Sequence, residues 1–250
     1  MLPDLPETPS AEPVIVETPV VPERRPFWGY SDLAMVIGLS FGILAVAGLA
    51  LFTIYRGQIP LTSPVVLVGS NLVLYVAVYL AFLAVFRLRY GKPVFASLGW
   101  VPARYSILLV VAAGIALAFL VSGVAQLLHT PKIDSEIERA MESKASLMLL
   151  GPMAITLAPL FEELFFRGFL QPLLSRSLGV IAGIVITAVA FGSLHGPEYN
   201  WAWQYVLMVT LVGAVLGWIR QWSGSVIPGT VLHATYNGVF VVVAALQHPK

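Results

Sequence analysis

Residues 160–167 read Leu-Phe-Glu-Glu-Leu-Phe-Phe-Arg, and they lie inside a long apolar run from about Ala145 to Leu174. A charge at the centre of a bilayer costs about 2.5–3.5 kcal/mol even on a lenient insertion scale. A membrane helix that carries two carboxylates and a guanidinium must therefore turn them toward protein or water. Ionisable groups at that depth are candidates for function.

The spacing within this stretch assigns different roles to the two acids. Glu163 and Arg167 are four residues apart, so on a helix they share a face and can pair. Glu162 points about 100° away, because a helix turns once in about 3.6 residues. We therefore predict that Arg167 neutralises Glu163 and that Glu162 stays free to move protons. The alternative interpretation is a structural ion cluster between packed helices.

The composition indicates a polytopic membrane protein. The 250 residues are 58% hydrophobic and 11% charged, with a mean hydropathy of +0.86, whereas a soluble domain is about 25% charged. The net charge of +1 and the absence of a basic stripe argue against a nucleic-acid partner. The chain has no cysteine, which excludes disulfides, thiolate nucleophiles and zinc bound by cysteine.

The chain divides into a polar tail and one apolar domain. Residues 1–27 contain seven prolines and five acids, and we predict a disordered acidic tail. Residues 28–250 are expected to form a single membrane-embedded domain with its core motifs at 160–240. Between two apolar runs, residues 131–145 alternate in charge and predict a short amphipathic helix on the outer surface, as a connector or a lid.

Apolar runs of about 20 residues predict an all-α bundle of seven to eight membrane spans. We place the spans at residues 33–55, 63–86, 105–128, 145–174, 178–195, 201–218 and from after Gly229 to Leu246. Pro172 predicts a break in the fourth span, and residues 223–229 predict irregular backbone before the last. The basic loop at residues 87–104 predicts a cytoplasmic face there, which also places the N-terminus in the cytoplasm. The expected location is the bacterial plasma membrane, among its lipids.

Two later spans carry histidine and asparagine side chains that could meet the acids. His195 ends the fifth span, and His233 and Asn237 are four residues apart in the last, so both project from one helix face. Glu162 and His195 lie at similar distances from the turn between their spans. His233 reaches the same depth if residues 223–228 run extended. We therefore predict a polar cavity walled by three spans.

Such a cavity suits peptide hydrolysis without a covalent intermediate. Glu162, with its pKa raised by burial, would act as general base toward a water molecule that a histidine helps to hold. Asn237 and a second histidine would donate hydrogen bonds to the developing oxyanion. The sequence has neither a Gly-x-Ser-x-Gly elbow nor a His-Glu-x-x-His zinc motif. Glu162, His195 and His233 could also bind zinc with one open position.

Three motifs in this order resemble those of the CAAX protease and bacteriocin-processing (CPBP, or Abi) intramembrane endopeptidases. The motifs are Glu162-Glu163-x-x-x-Arg167, Phe191-x-x-x-His195 and His233-x-x-x-Asn237. The resemblance covers residues 160–240 closely, the first three spans loosely, and the tail not at all.

The resemblance implies an integral-membrane endopeptidase with assigned residues. Glu162 would activate the water with His195, while His233 and Asn237 would bind the oxyanion. Glu163 and Arg167 would support the site. The family's mechanism has been described both as metal-dependent and as glutamate-based.

The family also suggests the class of substrate. Eukaryotic members trim prenylated CAAX proteins, and bacterial members act in peptide processing, bacteriocin self-immunity or protein anchoring. The expected substrate is therefore a peptide or a membrane-associated protein, which could carry a lipid. Two other functions stay open: a proton-coupled transporter, since buried Glu, His and Arg also form proton relays, and a non-catalytic scaffold or immunity protein of the same fold.

Overall fold

The computed structural model describes residues 26–58, 63–133 and 144–247, and all regular structure in these ranges is helical. The predicted all-α class is therefore confirmed. The predicted tail at residues 1–25 and most of the predicted amphipathic helix, residues 134–143, lie outside the described ranges. The α-helices are α1 Tyr30–Ile54, α2 Pro64–Phe82, α3 Val94–Ser97, α4 Ile107–Leu127, α5 Lys144–Ile155, α6 Leu157–Glu163, α7 Gln171–Leu178, α8 Val180–Leu194, α9 Trp203–Ser223 and α10 Ile227–Gln247.

Six continuous helical stretches in the described ranges are long and apolar enough to cross a bilayer. They are Tyr30–Ile54, Pro64–Arg89, Ile107–Leu127, Ser146–Leu178, Trp203–Ser223 and Ile227–Gln247. Helix α8 is apolar but shorter, and with it the count agrees with the predicted seven. Large apolar side chains such as Phe41, Leu108 and Phe119 are exposed on the bundle's outside, as expected for residues that face lipid. The chain is an integral membrane protein.

Helix α8 packs against α7 and α9 on one side and exposes apolar residues such as Ile181 and Val185 on the other. Gly192 permits the close contact with α9, because a Cβ at this position would lie 2.8 Å from the carbonyl oxygen of Val206. Small residues at such points let membrane helices approach closely. The short α8 ends at Leu194, and His195 follows it as the C-cap residue. Helix α10 completes this half by packing against α4 and α5.

The fourth span is interrupted at Thr156, and not at Pro172 as we predicted. Pro159 cannot donate to the carbonyl of Ile155, and its ring crowds that carbonyl, so α5 ends at Ile155 and α6 begins at Leu157. Pro172 instead lies in the first turn of α7. Pro172 has no N–H to donate to a carbonyl of the preceding turn. That preceding turn, Leu164–Leu170, is π-helical, and such turns change which carbonyl each N–H pairs with.

The irregular backbone before the last span is shorter than predicted. Helix α9 continues to Ser223 and α10 begins at Ile227, so only residues 224–226 are non-helical. Ser225 stabilises this turn, since its side-chain oxygen donates to the carbonyl of Val101 at 2.7 Å and accepts from the amide of Ile227 at 3.1 Å. The turn is therefore fixed by contact with the loop after α3 and does not require an extended segment.

An aromatic cluster joins the start of the described chain to the helix that carries the acids. Trp28 packs among Phe86 and Phe169, and its indole Nε1 donates to the carbonyl of Phe169 at 3.1 Å. Pro26 is buried and Phe27 packs against Trp28 and Phe86. These two residues, at the predicted boundary between tail and domain, therefore pack against the bundle.

A Trp28→Phe substitution tests whether this contact holds the N-terminal segment to the bundle. Phenylalanine keeps most of the packing but leaves the Phe169 carbonyl without the indole donor, so we expect a loss of about 1–2 kcal/mol in the free energy of unfolding. The measurement is denaturant unfolding in detergent micelles. Trp222, which is exposed, supplies the matched control, and equal effects of Trp222→Phe and Trp28→Phe would contradict the proposed contact.

Candidate active site

Glu163 and Arg167 form a fully buried ion pair in the fourth span. Arg167 Nη1 donates to Glu163 Oε1 at 2.9 Å, and the two side chains are 0% and 1% exposed. Arg167 Nη2 donates to the carbonyl of Gly213 in α9 at 2.9 Å, and the guanidinium lies 4.5 Å from the ring centroid of Phe191. Charge-assisted hydrogen bonds and an aromatic face together compensate the cost of burying the cation. The pair is thus tied to α8 and α9.

The π-helical segment Leu164–Leu170 sets the direction of this pair. The segment begins directly after Glu163 and contains Arg167. Two of its backbone carbonyls accept side-chain hydrogen bonds from outside the helix: Arg167 from Arg220 Nε and Phe169 from Trp28 Nε1, both at 3.1 Å. Single π turns inside α-helices occur frequently at functional sites. Here the turn is held from two sides by side chains remote in sequence.

His233 lies between the two carboxylates. Its Nδ1 is 3.3 Å from Glu163 Oε1, and its Nε2 is 3.8 Å from Glu162 Oε2. Since a carboxylate only accepts, the Nδ1–H donates to Glu163, and Nε2 of the neutral ring is left as an acceptor. Gly229, one turn earlier on α10, makes room for Glu163, because a Cβ there would lie 3.0 Å from Oε2.

Glu162 is the more exposed of the two adjacent acids. Its side chain is 24% exposed, whereas that of Glu163 is 1% exposed. The two adjacent acids therefore differ in exposure, and Glu163 is the one that pairs with Arg167. The 3.8 Å separation from His233 Nε2 is too long for a direct hydrogen bond, but one water molecule can bond to both atoms.

His195 reaches the same region from the end of α8. Its Nδ1 bonds to the carbonyl of Phe191 at 2.8 Å, so this nitrogen carries the proton and the neutral ring keeps a lone pair on Nε2. The ring of Phe191 contacts both imidazoles, with centroid distances of 4.6 Å to His195 and 5.8 Å to His233. Phe191 is thus the spacer that holds the two histidines in one cluster.

Asn237 follows His233 by one helical turn and is tied to the break in the fourth span. Its Nδ2 donates to the carbonyl of Ala154 at 2.9 Å. A primary amide has two hydrogens, so a second hydrogen remains for a ligand. The structure therefore brings Glu162, Glu163, Arg167 and His233 into direct contact, links His195 through Phe191, and places Asn237 against α5.

Two further groups at the site were not identified from the sequence. Glu198 lies in a short 3₁₀ turn, Gly196–Tyr199, directly after His195. Desolvation raises the pKa of Glu198, the nearby charge of Glu162 raises it further, and His195 opposes this. Tyr75 of α2 is buried and stacks on Phe161 at 5.0 Å, next to Glu162. The sequence feature that could have identified Glu198 as a site residue is its position three residues after His195.

The described side chains do not form a metal-binding group. Among them, no three His, Asp or Glu residues lie close enough together to hold one ion. His233 Nδ1 faces Glu163, and His195 Nδ1 bonds to the carbonyl of Phe191. This donor arrangement does not match the three converging ligands of a catalytic zinc site.

Comparisons with known proteins identify this part of the chain. The sequence model of the family described as type II CAAX prenyl endopeptidase Rce1-like matches residues 144–239. This range contains all three motifs, and the match confirms the resemblance that they indicate. The uncharacterized protein YpbD of Bacillus subtilis (strain 168) is 26% identical over 117 residues, which are 47% of this chain and 57% of YpbD. No solved structure matches significantly.

An Arg167→Ala substitution tests the buried pair. It leaves the Glu163 carboxylate buried without its cation, so we expect a loss of about 3–5 kcal/mol in the free energy of unfolding. The measurement is thermal unfolding of the purified protein in detergent, together with the yield of folded protein. Arg104 is exposed, and Arg104→Ala is the matched control. A normal melting temperature for Arg167→Ala would contradict the pairing.

Proposed function

We propose that this chain, whose residues 144–239 match the Rce1-like prenyl endopeptidases, is an intramembrane endopeptidase. It hydrolyses peptide bonds with water as the nucleophile. The observation that carries the proposal is the partly exposed carboxylate of Glu162, 3.8 Å from His233 Nε2, beside a buried Glu163–Arg167 pair. Ionisable groups held in this way within a membrane span are expected to serve function.

The proposed reaction starts with a water molecule bonded to Glu162 Oε2 and His233 Nε2. Glu162 takes one proton as the water oxygen forms a bond to the carbonyl carbon of the substrate. The second amide hydrogen of Asn237 stabilises the oxyanion of the resulting tetrahedral intermediate. Glu162 then gives its proton to the amide nitrogen as the carbon–nitrogen bond breaks, which yields a free acid and an amine.

The remaining site residues position this chemistry. Glu163 fixes the tautomer of His233 by accepting from its Nδ1–H, and Arg167 holds the Glu163 carboxylate in place by donating to it. His195, with a free lone pair on Nε2, accepts a hydrogen bond from the water or from the peptide N–H. This division of roles differs from the one implied by the family resemblance, in which His195 is the partner of Glu162.

The proposed substrate is a peptide or a membrane-associated protein. Substrates of CAAX type, peptides of bacteriocin type and lipidated proteins all fit a site within the membrane. The proposed location is the bacterial plasma membrane, with the N-terminus in the cytoplasm. Three arginines at one end of the bundle support this orientation, because positive charges favour the cytoplasmic side. They are Arg89, Arg176 and Arg220, and they contact residues 26–32 and residue 99.

A Glu162→Gln substitution tests the proposed base directly. Glutamine has almost the same shape but cannot accept the proton, so we expect cleavage of a peptide panel to fall by about 10²–10⁴-fold. The measurement is product formation by the purified protein in detergent, with melting temperature as the folding control. Cleavage that survives both Glu162→Gln and His195→Ala would reject the proposal. Proton-coupled transport in proteoliposomes without hydrolysis would instead indicate a transporter.

A chelator experiment distinguishes glutamate-based hydrolysis from a zinc mechanism. Among the described side chains, no three His, Asp or Glu residues converge on one point, which favours the first mechanism. We therefore expect undiminished cleavage after dialysis against a chelator. The zinc content of the same sample is measured by elemental analysis. Loss of cleavage that is restored by added zinc would show that Glu162, His195 and His233 act as metal ligands.

Glu198 predicts a specific dependence on pH. Its pKa is raised, so at low pH the wild-type carboxyl is neutral and resembles glutamine. Above that pKa it is an anion, whereas glutamine stays neutral, so the two proteins then differ in charge beside His195 and Glu162. We expect Glu198→Gln to leave cleavage nearly unchanged at low pH and to lower it several-fold at high pH, as measured by pH–rate profiles. Parallel profiles for the two proteins would contradict this role.

A further inference from the structure

Tyr75, in the second span, lies at the depth of the candidate active site. It precedes Arg89 by about 14 residues, and Glu162 precedes Arg176 by about the same number. Both arginines contact residues 26–32, so they mark one end of the bundle. At about 1.5 Å per residue, Tyr75 and Glu162 therefore both lie roughly 21 Å from that end.

The ring of Tyr75 is fixed against the helix that carries the two acids. It stacks on Phe161 with a centroid distance of 5.0 Å and an interplanar angle of 5°, and Phe161 directly precedes Glu162. Tyr75 is only 6% exposed, since α2 packs against α5 and α6. The charges of Glu162 and Glu198 both act on its phenol, so the hydroxyl lies within electrostatic reach of both carboxylates.

The hydroxyl of Tyr75 makes no hydrogen bond to any residue that the structure describes, yet packing does not enclose its oxygen. A buried tyrosine usually places its hydroxyl against a partner. The stacking on Phe161 fixes the direction of the ring, and the nearest charges are those of the site. The hydroxyl is thus available to a water molecule or a substrate group in the space around Glu162.

We propose that Tyr75 is a further catalytic residue, whose hydroxyl donates a hydrogen bond to the carbonyl oxygen of the scissile peptide bond. This role rests on the proposed peptidase function. A phenol keeps its proton at neutral pH, so it acts as a donor. The carbonyl oxygen becomes an anion when the water oxygen bonds to the carbonyl carbon, and a donor already in place stabilises that anion. The phenol keeps its proton throughout, so the proton transfers by Glu162 are unchanged.

The proposed role gives the oxyanion two donors, from two helices that both pack against α5. Asn237 donates from α10 and Tyr75 from α2. Residue 75 lies outside the range 144–239 that matches the family model, so the motifs alone do not identify it. The stacking contact with Phe161 supplies the connection, because it sets the phenol beside the residue that precedes the proposed base.

A Tyr75→Phe substitution tests this role, because it removes the hydroxyl and keeps the ring that stacks on Phe161. We expect kcat for a cleaved peptide to fall about 10²–10³-fold, with little change in KM and an unchanged melting temperature. Tyr79→Phe is the matched control, since Tyr79 lies one turn further along α2 and packs against Phe95. Equal kcat values for Tyr75→Phe and Tyr79→Phe would overturn the proposal.

Binding of a phosphinic peptide gives a second readout that needs no turnover. Its tetrahedral phosphorus carries an anionic oxygen where the oxyanion forms, whereas a reduced peptide of the same sequence has a methylene group there. We expect Tyr75→Phe to weaken binding of the phosphinic peptide about tenfold or more and to leave binding of the reduced peptide unchanged. Equal binding of the phosphinic peptide to Tyr75→Phe and wild-type protein would overturn the proposal.

The outcomes for Tyr75 and for the proposed function are distinguishable. Cleavage that is lost in Glu162→Gln but fully retained in Tyr75→Phe would remove the role of Tyr75 and leave the proposed function in place. A wild-type protein that neither cleaves the peptide panel nor binds the phosphinic peptide would reject the proposed function and the role of Tyr75 together.

Discussion

The structure depends on one constraint: the Glu163–Arg167 pair is buried inside a membrane span, so each ion must be stabilised by its partner and by neighbouring groups. Neither side chain reaches solvent. Transfer of each ion from water costs several kcal/mol, which the attraction between the two charges and further hydrogen bonds must offset. The Gly213 carbonyl, the face of Phe191 and the imidazole of His233 supply further contacts, while Glu163 Oε2 and Arg167 Nε have no hydrogen-bond partner among the described residues. Three helices are thereby fixed around one pair.

The same constraint separates the chemistry of two adjacent acids. Glu163 is neutralised and inward, so it can orient His233, while Glu162 lies about 100° around the helix from it and is more exposed. One turn further along the helix, Gln171 donates to the carbonyl of Gly217, and Arg220 donates to the carbonyl of Arg167. Polar side chains therefore connect this helix to α9 beyond the ion pair itself.

Local spacing predicted much of this arrangement, and long-range packing accounts for what it missed. The four-residue intervals anticipated the Glu163–Arg167 pair and the shared face of His233 and Asn237. The contacts of the π-helical turn were not predictable from spacing, because its carbonyls accept from Trp28 and Arg220, which lie 141 and 53 residues away along the chain. The closeness of His233 to Glu162 also depends on how α10 packs. Glu198 was missed because its membership of the site depends on a turn after His195.

The most direct measurement of the central claim is a double-mutant cycle on the buried pair, read as the free energy of unfolding in detergent. The variants are Glu163→Gln, Arg167→Met and their combination, which removes both charges together. If the pair constrains the site as described, the combined loss should be smaller than the sum of the single losses by about 2 kcal/mol or more. Losses that add within about 0.5 kcal/mol would show that the two side chains are not coupled and would contradict the account.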